Sequence, residues 1–158
     1  MNNFNLPIFQ DISNFKDPIF WHGITIHHSL TKDQQVKDWI AIKNYHKSLG
    51  WVDIGYHAGI EKVNDKYEYQ IGRPLNMQGA HERKVNNTCI GICVVGNFDL
   101  VPPNATQLWL LACLCRAYMT RFGFGVESVN FHRDYKNKSC PGRLFDKNIV
   151  RDIIKGIE

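Results

Sequence analysis

Nine residues near the C-terminus, His132-Arg-Asp-Tyr-Lys-Asn-Lys138-Ser-Cys140, hold an imidazole, an ammonium and a thiol and run straight into Pro141-Gly142. A histidine and a cysteine can bind a borderline metal ion such as zinc, and a lysine beside them can stabilise negative charge that develops in a reaction. Two ligands do not hold an ion, so a third must come from elsewhere in the chain. The stretch Gly23-Ile-Thr-Ile-His27-His28-Ser29 reads as a short β-branched strand. Strand neighbours face opposite ways, so Ile24, Ile26 and His28 share one face and Thr25 and His27 the other. The face with two isoleucines is the better core face, which leaves His27 for a cleft. Two histidines and a thiolate leave one tetrahedral zinc position open, as catalytic sites do, and water there would become a nucleophile near neutral pH. Pro141 suits the first turn of a helix, so a helix is expected to start after Cys140 and keep its thiolate ionised. Taken singly, each histidine is better read as buried and hydrogen-bonded and Cys140 as an inert thiol, while Lys138 fits a solvated surface charge as well as a functional one. Their combination favours a metal centre.

The elements that must position these groups alternate along the chain. Residues 1–20 carry two prolines and no clear period and read as an extended lead-in. After the first strand, Thr31-Lys-Asp-Gln34 matches a capping box. The helix behind it is expected to turn Val36, Trp39, Ile40, Tyr45 and Leu49 inward and to stop at Gly50. Val52–Ile60 and Tyr67–Ile71 read as strands joined at Asn64-Asp65, and 72–83 as a loop. Ile90–Val95 is a continuous apolar run that fits a central strand buried on both faces. Asn104 and Gln107 start the longest helix, which runs to about Phe122. Val129–Phe131 reads as a last strand and Ile149–Ile157 as a terminal helix. This order predicts a single α/β domain over 21–158, with a central mixed β-sheet flanked by helices.

At 158 residues, with 44% hydrophobic and 22% charged residues, the chain can bury one substantial core. The net charge of +4 is mild, and the basic residues form no block, which argues against nucleic acid as a partner. No apolar run nears the roughly 20 residues that cross a bilayer. The first residues lack the basic and apolar regions of a secretory signal, so the protein is expected to be made in the cytoplasm. Of five cysteines, Cys89, Cys93, Cys113 and Cys115 sit in apolar runs and read as small buried hydrophobes; Cys140, among polar and basic neighbours, does not. No disulfide is expected in a reducing compartment.

Six blocks, in order over residues 21–145, resemble the zinc-dependent N-acetylmuramoyl-L-alanine amidases of the type-2 amidase and peptidoglycan-recognition-protein superfamily, and within it the phage-lysin branch. They are Gly-Ile-Thr-Ile-His27-His28-Ser29, Gly50-Trp-Val-Asp-Ile-Gly-Tyr56-His57, Gln70-Ile-Gly-Arg73-Pro, Gln78-Gly-Ala-His81, Asn87 through Phe98, and His132-Arg-Asp through Cys140-Pro-Gly142. The resemblance implies that His27, His132 and Cys140 bind one Zn2+ ion and that Tyr56 and Lys138 are catalytic. It also implies a peptidoglycan substrate, cleaved between N-acetylmuramic acid and L-alanine by an endolysin that reaches the wall after release from the cytoplasm. A mild positive charge suits such an anionic polymer. A monomer is expected. Some phage amidases of this type also restrain the phage RNA polymerase, a partner that nothing in the residues tests.

Lys138 suits oxyanion stabilisation, and Tyr56 could orient water or hydrogen-bond the intermediate. No Glu or Asp of the six blocks stands in an obvious general-base position. His57, Arg73 and His81 are open between groove-lining and structural roles. The tryptophans could stack on sugar rings, although Trp39 and Trp109 fall on apolar helix faces that fit a core. Two other functions compete: a cytosolic amidase recycling muropeptides, which in the family carries an aspartate where this chain has Cys140, and a non-catalytic peptidoglycan-binding or regulatory module, which usually lacks that cysteine.

Overall fold

A computed structural model describes residues 19–31 and 38–157. Its strands are β1 (Gly23–His28), β2 (Ala58–Val63), β3 (Lys66–Ile71), β4 (Cys89–Val94) and β5 (Val129–Phe131), and its α-helices are α1 (Asp38–Ser48), α2 (Ala105–Phe122) and α3 (Lys147–Lys155). The strands form one mixed sheet in the order β3-β2-β4-β1-β5. β4 lies in the middle, parallel to β1 and β2; β5 is parallel to β1, and β3 closes the far edge antiparallel to β2. All six residues of β4 are buried, as a strand covered on both faces requires. Asn64 and Asp65 turn the β2–β3 hairpin with φ of 47° and 65°. Positive φ at both turn residues matches the right-handed twist of the flanking strands, and Asn and Asp tolerate it.

One face of the sheet carries the main core. Ile24, Ile26, Ile90, Ile92 and Val94 meet Leu111, Leu114 and Tyr118 of α2 and Val150 and Ile154 of α3. α2 begins at a complete capping box, in which the Asn104 side chain accepts from the Gln107 amide and the Gln107 side chain from the Asn104 amide. Gly123, at φ 74°, ends it. The opposite face holds a smaller cluster of Trp39, Ile54, Cys93 and Val95, with Ile42 and Tyr56 packed against it. α1 lies over this face because Gly59 leaves room for it: a Cβ there would stand 2.2 Å from the Trp39 ring.

Several expectations need correction. Residues 52–57 do not join β2; they form the irregular lead into it. α1 turns Trp39, Ile42 and His46 inward, three and four residues apart, and leaves Ile40, Tyr45 and Leu49 exposed. Trp109 is 49% exposed, because it stands two positions, about 200° of helix, from the buried Gln107 and Leu111. The lead-in over 1–20 (Ile19 and Phe20 apart), Val36, and the Thr31–Gln34 capping box beyond Thr31 lie outside the described residues. No described helix is long and apolar enough to cross a membrane.

Candidate metal centre and its cleft

The carboxyl ends of β1 and β5 meet at one end of the sheet, where open α/β sheets bind ligands. Ile26 of β1 pairs with Phe131 of β5, so the next residues, His27 and His132, emerge side by side with ring centroids 4.5 Å apart. β1 alternates as its sequence requires: Ile24 and Ile26 enter the main core, His28 stacks on Phe98 at 6.3 Å, and His27 takes the other face. The loop after β5 then carries Cys140 back to the sheet. Its Sγ lies 3.8 Å from Nδ1 of His27, and one donor atom from each of His27, His132 and Cys140 falls within 4.8 Å of the others. All three residues are buried.

Arg133 shapes that loop. Its amide donates to the Cys140 carbonyl, and its guanidinium donates to the carbonyls of Gly142 and Phe145. Asp99 holds the outer side, accepting from the Ser139 hydroxyl and the Arg143 amide. No helix starts at Pro141. Gly142 sits at φ 123°, outside the helical region, and α3 begins only after its cap Asp146. The expected helix dipole at Cys140 is therefore absent. Burial instead raises the Cys140 thiol to about 11, only partly offset by the His28 amide and by Lys138. In this pocket the thiol gives up its proton only to something that binds sulfur, such as a metal ion.

The histidine tautomers follow from their partners. Nε2 of His81 donates to the Cys89 carbonyl at 3.1 Å, which leaves His81 Nδ1 as an acceptor. Nε2 of His27 lies 3.0 Å from that Nδ1 and donates to it, so the lone pair of His27 is on Nδ1, facing Cys140. Burial holds His27 well below the ordinary imidazole value and His81 down to about 3, so both rings are neutral. On the other side, Nε2 of His132 lies 3.0 Å from the Glu82 carboxylate.

The donor set suits zinc. For a tetrahedral ion with Zn–N near 2.05 Å and Zn–S near 2.3 Å, nitrogen and sulfur would stand about 3.6 Å apart; the observed 3.8 Å is close. Both imidazoles also use their second nitrogen on a partner, as metal-binding histidines do.

A cleft of about 480 Å³ opens over this trio, lined among others by Tyr56, Lys138, His81, His46, Trp51 and Tyr45. The half-buried Tyr56 stands beside His27 with ring centroids 5.1 Å apart. Exclusion from water, then the neighbouring Cys93 and Cys140, push its hydroxyl well above the usual phenol value, so it is a proton-bearing group. Lys138 is exposed at the rim, and no carboxylate pairs with it among the described residues.

Of the three residues left open by sequence, two are structural. Arg73 donates to the carbonyls of Ile54, Gln78 and Asp53 and ties together the loops that carry Tyr56 and His81. His57 accepts from the Gly91 amide and donates to the Met77 carbonyl. His81 lines the cleft. Sequence reasoning overlooked Glu82, whose only local signal is its place directly after His81.

The family model described as N-acetylmuramoyl-L-alanine amidase matches residues 16–143, and the chain belongs to that family. Among curated relatives, the endolysin of Enterobacteria phage T3 is 30% identical, over 85% of this chain and 91% of its own. Among solved structures, the N-acetylmuramoyl-L-alanine amidase LysC from Clostridium intestinale URNW superposes with a TM-score of 0.75 at 27% identity, covering 87% of each chain. Bumblebee PGRP-SA superposes with a TM-score of 0.71 at 26% identity, covering 84% of this chain and 82% of its own.

Proposed function

We propose that this chain hydrolyses the amide between the lactyl group of N-acetylmuramic acid and L-alanine in peptidoglycan, as a phage lysin, with one zinc ion held by His27, His132 and Cys140. The observation that carries the reading is the convergence of three buried donor atoms within 4.8 Å at the floor of a solvent-open cleft. Family membership and likeness to a phage endolysin support the bond and the biological role. Zinc bound there would supply Lewis acidity and lower the pKa of water at its open position.

The protein's own groups account for the rest. The amide carbonyl would sit over the trio, and Lys138 at the rim would stabilise the oxyanion as negative charge develops. Tyr56, protonated throughout the physiological range, would donate a hydrogen bond to that oxygen or orient the attacking water. The leaving amine needs a proton, and we assign that delivery to Tyr56 or Lys138, both of which line the cleft.

The test is digestion of purified sacculi with mass spectrometry of the products. Release of L-alanine-terminated peptides, lost on chelation and restored by zinc, is expected. Cleavage at another bond, or an unchanged rate after complete metal removal, would overturn the reading.

A further inference from the structure

Resting on the metal centre proposed above, we propose that Glu82 is a positioning residue that locks the ring of His132 toward the metal, and that Lys136 tempers its charge. The Glu82 side chain has no solvent exposure, yet it is fully provided with donors. One oxygen accepts from Nε2 of His132 at 3.0 Å and from the Lys136 ammonium at 3.3 Å, and the other from the Lys84 amide at 3.1 Å.

A carboxylate in this ion pair only accepts, so the proton of His132 must sit on Nε2. The lone pair is then on Nδ1, the nitrogen free to join His27 and Cys140. Flipping the ring would replace that N–H with a carbon and leave a buried carboxylate short of a donor, an outcome that carries a desolvation penalty. Glu82 thus selects both the tautomer and the rotamer of His132, across a sequence separation of 50 residues. It mirrors the part His81 plays for His27 with one difference: His81 is neutral and Glu82 is charged. A full negative charge behind an imidazole makes it a stronger donor to a metal ion. Lys136, with its side chain 42% exposed, returns a positive charge to the same oxygen and moderates that effect. Among the described residues no carboxylate pairs with the nearby Lys138, which stands exposed at the rim of the cleft.

Zinc affinity, measured by competition with a chromophoric chelator, separates the alternatives. Glu82→Ala should bind zinc roughly 10–100-fold more weakly than wild type, and should shift the visible spectrum of the cobalt-substituted protein. Glu82→Gln should recover part of the loss, because its carbonyl can still accept from Nε2–H. Lys136→Met should bind zinc several-fold more tightly; an unchanged or weaker affinity overturns the role given to Lys136. Nitrogen NMR of His132 in the metal-free wild type needs no variant to fold: Nε2–H is expected, and Nδ1–H overturns the proposal. A folded Glu82→Ala protein with wild-type zinc affinity and cobalt spectrum also overturns it. A wild-type protein that takes up no zinc would instead sink the metal centre itself.

Discussion

Nε2 of His27 lies 3.0 Å from Nδ1 of His81, and that contact decides which nitrogen of His27 faces Cys140. His81 is held in turn by two glycines. A Cβ on Gly79 or Gly91 would stand 2.4 or 2.5 Å from its ring, so only glycine leaves the imidazole its place.

Gly91→Ala should therefore disturb the site from the middle of the sheet. The ring must move, and the His27 tautomer loses its anchor. We expect zinc affinity to fall by roughly the 10–100-fold typical of lost outer partners, together with a lower melting temperature. A chelator-competition titration beside thermal unfolding checks this; unaltered affinity would dissociate His81 from the metal centre.

Cys140→Ser removes the sulfur ligand while keeping the size of the side chain. Bound zinc should drop from about one ion per chain to near none, and peptide release from sacculi should cease. Elemental analysis of the purified variant is the direct measurement. Retention of a full zinc complement would exclude Cys140 as a ligand.

Lys138→Met and Tyr56→Phe should leave zinc content intact while slowing hydrolysis. Loss of a single oxyanion donor costs roughly 10²–10³-fold in rate, the expectation for Lys138. Loss of a proton-transfer group costs roughly 10²-fold or more, the expectation for Tyr56. Initial rates of L-alanine-peptide release, normalised to bound zinc, separate these effects from metal loss.

Acid should destabilise the metal-free protein before carboxylates titrate. Burial lowers His57 to about 4 and His81 to about 3 in the folded state, against an ordinary value near 6.5 once unfolded. Between those values the unfolded chain binds more protons, so this stability is present above about pH 6.5 and is lost as pH falls through about 4 for His57 and about 3 for His81. Each histidine contributes a slope of at most about 1.4 kcal/mol per pH unit. Urea midpoints at pH 7.5, 6 and 5 should fall in that order, and a flat profile would contradict neutral buried rings. Zinc should resist the trend only while its ligands stay deprotonated.

Local chemistry was legible wherever it was periodic or carried by a cap. The alternation in β1 puts Ile24 and Ile26 opposite His27, Asn104 and Gln107 cap α2, and Asn64-Asp65 turn a hairpin. Besides the helix expected at Pro141 and the strand expected over 52–57, errors came where a position looked apolar and the tertiary surroundings disagreed. Tyr45, Leu49 and Trp109 have the composition of core residues, but the sheet reaches only one stripe of each helix.

By itself the sequence determined the mixed α/β sheet, the residue types able to meet at its end, and the family to which the chain belongs. Tertiary structure alone decided how those groups are held. It set the protonated state of a metal-free Cys140, the neutral His81 behind His27 and the ionised Glu82 behind His132. The physical reason is separation: strand parity and helix caps act over a few residues, whereas His27 and His81 are 54 residues apart and His132 and Glu82 are 50. Contacts of that reach arise from packing, which brings both pairs to the carboxyl end of one sheet.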